Sequence, residues 1–153
     1  MDILILYYSM SGNTEEVARA IHSAVDGKLM KFEPKGGKRV SVAKGAVQAL
    51  FKAKPPMEPL AIDPAEYDLI FLGCPVWAGH AAPVIHSFAG MYPLAGKKVA
   101  LFCTCADKPG VTLEQMKEKF PNAEIIDTMC VKTPMKDTAE VVKWANEVLE
   151  RSR

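Results

Sequence analysis

Residues 3–14 read Ile-Leu-Ile-Leu-Tyr-Tyr-Ser-Met-Ser-Gly-Asn-Thr, an apolar run that turns abruptly into a polar loop carrying a glycine. The run from Ile3 to Tyr8 has no polar alternation, the pattern of a parallel strand covered on both faces rather than of a half-solvated one. The segment after the loop, Thr14 to Val25, places Val17, Ala18, Ile21 and Val25 on one helical face. Asn13 and Glu16 have the spacing of an N-cap and its capping-box partner. A buried strand that feeds an amphipathic helix through a short loop is the first half of a βαβ unit.

The rest of the chain repeats this pattern. Residues 28–33 alternate weakly, as an edge strand does, and Pro34 with Gly36-Gly37 ends them. Residues 40–53 carry a helical apolar face through Val42, Ala46, Ala49, Leu50 and Ala53, and Pro55, Pro56 and Pro59 then stiffen the connection. A second buried strand runs from Tyr67, and a turn-rich loop from Gly73 to Pro83 leads into a helix for which Pro83 is a suitable first residue. Residues 97–105 form a third buried strand, 111–120 a helix and 123–131 a further strand. The helix over 138–152 turns Val141, Trp144, Ala145, Val148 and Leu149 inward.

Five strands alternating with five helices predict an α/β fold, a doubly wound five-stranded parallel sheet of order 2-1-3-4-5 with helices on both faces. Residues 1–153 are expected to form one domain, the usual size for a single core. In such sheets ligands bind at the carboxyl ends of the strands, near the point where the strand order reverses. Three loops reach that rim: residues 9–14, 74–82 and 104–111.

Composition removes several classes of function. Nineteen Lys and Arg balance eighteen Asp and Glu, and no long run of one sign is present to track a polyanion or a charged bilayer, so neither nucleic acid nor membrane is an expected partner. Cys74, Cys103, Cys105 and Cys130 form no CxxC pair and no zinc spacing, which suits a reducing cytoplasm. The first apolar run falls well short of the roughly 20 residues of a membrane helix and has no basic leader, so no span or secretion signal is expected.

The opening loop is a helix N-terminus, where unpaired N–H groups and about half a positive charge favour an anion. Ser9, Ser11, Asn13 and Thr14 add side-chain donors, and Gly12 permits close approach, so a phosphate could be held without a cation. The plainer reading is that Ser11 or Asn13 only caps the helix. GxxxxGK[ST] and GxGxxG are both absent, which favours a mononucleotide over a triphosphate or a dinucleotide.

The strand, the Ser9-Met10-Ser11-Gly12-Asn13-Thr14 loop, the Gly73-Cys-Pro-Val-Trp-Ala-Gly79 segment and the repeated βα units resemble the flavodoxin family over essentially the whole chain. The resemblance implies non-covalent FMN and one-electron transfer to redox partner proteins, in the short-chain form. It implies that Ser9, Met10, Ser11, Gly12, Asn13 and Thr14 hold the FMN phosphate. Pro75, Val76, Trp77, Ala78 and Gly79 would line one side of the isoalloxazine. Cys103, Thr104, Cys105, Ala106, Asp107 and Gly110 would lie in the segment on the other side.

The chain departs from the family's habit in two ways. The 103–110 segment holds no aromatic residue, and the charge is near neutral where flavodoxins are usually acidic. Trp77 is also readable as a core residue, although its neighbours Pro75, Ala78 and Gly79 suggest an exposed turn with little for an indole to pack on except a planar ring. Cys74, Cys103, Cys105 and His80 are readable as a metal or dithiol site, or as small buried hydrophobes beside a loop histidine; no metal site is expected. His80 is the histidine to consider for proton transfer, while His22 and His86 are expected at the surface or an interface. Lys38, Arg39, Lys44, Lys52 and Lys54 form either a solvated face or a partner-facing patch.

Electron carrier is thus the leading reading, more than a stand-alone enzyme. The competing readings are an FMN-dependent reductase of a quinone or similar acceptor, and a non-redox mononucleotide-binding module. A receiver domain would need acidic residues at the ends of strands one and three, and a low-molecular-weight tyrosine phosphatase would need Cys and Arg in the opening loop. The sequence has neither.

Overall fold

The computed structural model describes residues 1–35 and 54–153. The helix expected over 40–53 and most of the basic cluster around it lie outside the described residues. β1 (Ile3–Tyr7) is buried at every position, which is why its sequence carries no alternation. It pairs in parallel with β2 (Lys28–Lys31) on one side and with β3 (Leu69–Trp77) on the other. β3 pairs with β5 (Lys98–Cys105), and β5 with the edge strand β6 (Glu124–Lys132), both in parallel. The spatial order is therefore β2-β1-β3-β5-β6, the doubly wound order expected from the alternation.

One strand was not expected. β4 (His80–Ala81) folds back antiparallel on the end of β3, pairing Val76 with Ala81 and Trp77 with His80. The expected loop from Gly73 is thus strand as far as Trp77, and its turn is only Ala78-Gly79. Both residues have positive φ, 51° and 77°, the pattern of a two-residue type I′ hairpin. The apolar run hid this reversal, because a two-residue strand is too short for any periodicity to register.

Each face of the sheet carries its own core. On one face α1 (Asn13–Ala24) and α4 (Ala139–Ser152) bury Val17, Ala18, Ile21, Val141, Ala145 and Val148 against Ile5, Phe71 and Phe102. On the other, α2 (Val84–Met91) and α3 (Thr112–Lys119) bury Val84, Ile85, Phe88 and Met116 against Leu4, Leu6, Ile70, Leu72 and Leu101. Burial of each such side chain contributes about 1.5–3 kcal/mol, so these two interfaces are the main source of stability.

His86, expected at the surface or an interface, is 1% exposed. α2 is apolar on its sheet face, and the proline-bearing connection crosses it elsewhere. Ser87 Oγ donates to the Pro55 carbonyl, and the Leu60 N–H donates to the Tyr92 hydroxyl at 2.9 Å. His22 is exposed, as expected, with a ring nitrogen 3.0 Å from the Gly27 carbonyl.

At the edge, Asp127 of β6 accepts from Trp144 Nε1 at 3.1 Å and from Arg151 at 3.0 Å, which fixes α4 across the last strand. Lys98 Nζ reaches the carbonyl of Ser152 at 2.6 Å, a cation at the negative end of α4.

β3 and β5 approach closely where Gly73 faces Phe102. A Cβ built on Gly73 would stand 2.2 Å from the Phe102 ring, which is itself fully buried. Gly73→Ala is expected to destabilise the fold by about 1–3 kcal/mol through overpacking, read as a lower midpoint in urea at unchanged slope.

Candidate cofactor site at the carboxyl rim

The loop after β1 is tied off from below and open above. Tyr8 N–H donates to the Gly73 carbonyl at 3.0 Å, which carries the chain one residue beyond the strand. Ser9 Oγ then accepts the N–H of Gly12 at 3.0 Å and closes the loop on itself. That closure puts Gly12 at φ 95°, a conformation glycine adopts without a Cβ clash, and makes it the helix N-cap.

The sequence had given the cap to Asn13. Instead Asn13 is the first helical residue, no side chain caps α1, and the first intrahelical bond runs from Glu16 N–H to the Gly12 carbonyl at 3.0 Å. The Ser9–Gly12 bond moves the start of the helix back by one residue. Ser11 and Asn13 consequently stay exposed, with their side chains unspent on the helix. Among the described residues the N–H groups of Asn13, Thr14 and Glu15 make no hydrogen bond, as in any first helical turn. Among the described residues a Cβ on Gly12 would meet nothing within 4 Å.

Glu15, one of two carboxylates in the first turn of α1, is engaged at the side. Tyr7 OH donates to it at 2.7 Å, and Arg19 lies 3.7 Å away. Burial, with the Glu15 bond adding to it, pushes the Tyr7 phenol up to about 12, so it remains a donor.

Thr14 is buried rather than exposed, and its Oγ1 lies 2.8 Å from Oγ1 of Thr104 near the end of β5. Two hydroxyls bring two protons to one bond, so one proton stays available to a further acceptor. This contact brings together two segments that the sequence assigned to one site from ninety residues apart.

The hairpin and the loop after β5 also touch. Gly79 carbonyl accepts the N–H of Val111 at 2.8 Å, and a Cβ on Gly110, at φ 57°, would stand 2.3 Å from that carbonyl oxygen. Only glycine lets the two backbones meet this closely. Ala106, Asp107 and Gly110 are exposed on the rim above this contact, whereas Cys103, Thr104 and Cys105 are buried strand residues beneath it.

Trp77 corrects an expectation. It does not stand in an exposed turn but is half-buried at the end of β3, edge-on to Tyr8 with ring centroids 5.9 Å apart. The indole thus has a partner within the protein, because the strand continues to Trp77 and Tyr8 reaches the same level. Pro75 and Val76 are likewise half-buried strand residues.

Sequence reasoning missed Gln115. It lies on amphipathic α3, where a glutamine reads as surface, yet it is 6% exposed and holds the hairpin. Its Oε1 accepts the Ala81 N–H at 2.9 Å, so its Nε2 must be the donor to Nδ1 of His80 at 2.8 Å. His80 in its neutral form therefore carries its proton on Nε2.

The four cysteines are free thiols. Burial pushes Cys74 up to about 12 and raises Cys103 as well. Among the described residues no group of three or more His, Cys, Asp or Glu side chains is arranged to hold a metal ion. Among them, too, no helix is long and apolar enough to cross a membrane.

Comparison with known proteins agrees with this architecture. Over 97% of its length the chain is 26% identical to a flavodoxin of Maridesulfovibrio salexigens, of which the match covers 97%. A flavoprotein of Lactobacillus acidophilus, solved in complex with FMN, is 29% identical with a TM-score of 0.77, over 94% of this chain and 98% of that one. A flavoprotein of Bacteroides uniformis has the same fold, with a TM-score of 0.83 at 22% identity, over 95% of this chain and 97% of that one. The family model described as flavodoxin matches residues 2–148, and the chain belongs to that family.

Proposed function

We propose that this protein binds FMN at the carboxyl rim of its sheet and carries single electrons between redox partner proteins. The observation that carries the reading is the open N-terminus of α1. Among the described residues its first N–H groups make no hydrogen bond and nothing lies within 4 Å of a Cβ on Gly12; with the exposed Ser11 and Asn13 side chains, these features support an anion site without any Lys or Arg in the loop. Such a donor set fits a phosphate monoester. The complex of the Lactobacillus acidophilus flavoprotein with FMN supports the choice of mononucleotide.

In this reading Ser9, Met10, Ser11, Gly12, Asn13 and Thr14 hold the phosphate. Pro75, Val76, Trp77, Ala78 and Gly79 line one side of the isoalloxazine, and the Cys103–Gly110 segment the other. The flavin supplies the capacity to take up and release electrons, while the protein sets its affinity, its orientation and the charge around it. Trp77, already held edge-on by Tyr8, offers a half-exposed indole to a planar ring, a contact worth about 1–3 kcal/mol by analogy with nucleobases. Free thiols suit a reducing compartment such as the cytoplasm.

A specific observation favours a second reading, an FMN-dependent reductase of a quinone or similar small acceptor. The rim residues Ala106, Asp107, Lys108 and Gly110 are exposed and include no aromatic, which leaves room for a second planar molecule.

If the loop binds phosphate, Ser11→Ala should weaken FMN by about 1.5–3 kcal/mol and leave riboflavin affinity unchanged, since only FMN presents the charged group. Calorimetric titration with both ligands measures this. Equal losses for the two would remove the phosphate from the loop.

Carrier and reductase separate in a stepwise reductive titration of the FMN-loaded protein, followed by absorbance. Two resolved one-electron stages are expected of a carrier. A single two-electron transition would make the reductase the better description.

A further inference from the structure

The four cysteines share one face of the sheet near its carboxyl rim. Cys74 on β3 is in register with Cys103 on β5, and Cys103 is in register with Cys130 on β6. Registered neighbours project to the same face, and Cys74 belongs to the core beneath α2 and α3, so all three sulfurs lie on that side. Cys105, two residues beyond Cys103, projects there too. Its Sγ lies 2.9 Å from Sγ of Cys130.

Access differs sharply among the four. Cys74 and Cys103 are fully buried and Cys105 is 4% exposed, while Cys130 is half-buried on an edge strand with no further strand beyond it. A reagent from solvent therefore meets Cys130 first and finds a second thiol already in contact with it.

We propose that Cys105 and Cys130 form a redox-active dithiol that a low-molecular-weight disulfide of the oxidised-glutathione type converts to an intramolecular disulfide. The Cys130 thiolate attacks one sulfur of the small disulfide, forming a mixed disulfide and releasing one small thiolate. Cys105 gives up its proton and attacks the Cys130 sulfur, which forms the Cys105–Cys130 bond and releases the second small thiolate. Two protein thiols are oxidised, one small disulfide is reduced to two thiols, and the protons end on the departing sulfurs.

The order of attack follows from the surroundings. Burial, then the bond to Cys130, pushes the Cys105 thiol up to about 12, and the charge of Lys132, its register partner on β6, only partly opposes this. Cys105 is thus a poor first nucleophile, but it is positioned to resolve a mixed disulfide on Cys130.

Cys105 faces Lys132 and Cys130 faces Cys103, so the thiols in contact are diagonal across the ladder.

The test is incubation of the intact, reduced protein with oxidised glutathione under native conditions, followed by alkylation, intact mass and peptide mapping. The expected result is loss of two hydrogens, no retained glutathione, and a link between the Cys105 and Cys130 peptides. Cys105→Ser and Cys105→Ala should instead keep one glutathione on Cys130, and Cys130→Ser should stay reduced under the same treatment. A stable glutathione adduct on wild-type Cys130, a link from Cys130 to Cys103, or resistance of Cys105 and Cys130 until the protein is denatured would each overturn the proposal.

Discussion

The middle of the sheet is closed to water on both faces, so every backbone group of β1 must find its partner along the ladder, and the chain can become polar only where the ladder stops. β1 is buried at all its positions and sits between two parallel neighbours. Parallel strands all end on the same side, and their unpaired ends therefore collect along one rim. The rim is held by three contacts made at or just past the strand ends: Ser9 with Gly12, Thr14 with Thr104, and Gly79 with Val111. Each joins backbone or hydroxyl groups that would otherwise be stranded at the edge of the core.

In the proposed phosphate site neutral donors would suffice, because fixed geometry would do the work of a charge. A lysine in the loop would add affinity for any anion, whereas N–H groups fixed by the helix and hydroxyls fixed by the loop favour one oxygen arrangement. Gly12 and Gly110 serve this in different ways, the first by accepting a left-handed conformation in open space and the second by letting two backbones touch. The formal net charge of +1 gives the protein no strong long-range field of one sign.

Much of this was legible in the sequence, for a physical reason. Buried parallel strands must be continuous apolar runs, so residues 3–8, 67–76 and 97–105 announced themselves, and with them the strand order. What stayed hidden was decided by single long-range bonds. The helix began at Asn13 because Ser9 captured the Gly12 amide, and no pattern of propensities contains that bond. Trp77 looked exposed because its neighbours are turn residues, while its partner Tyr8 follows directly on β1, sixty-nine positions earlier. Gln115 drew no reading from the sequence because a helix wheel shows which way a residue faces but not that a hairpin will lie over it. Thr14 and Thr104 were each assigned to the site, but only the fold shows that they meet.

Amide chemical-shift mapping of the isotope-labelled protein on addition of FMN reads whether these three loops form one FMN site. Large shifts should cluster at Ser11 to Glu15, at Trp77 to His80 and at Thr104 to Val111, with the amides of α4 unmoved. A spectrum unchanged by FMN, or shifts gathered on α4 and the far end of the sheet, would contradict the account.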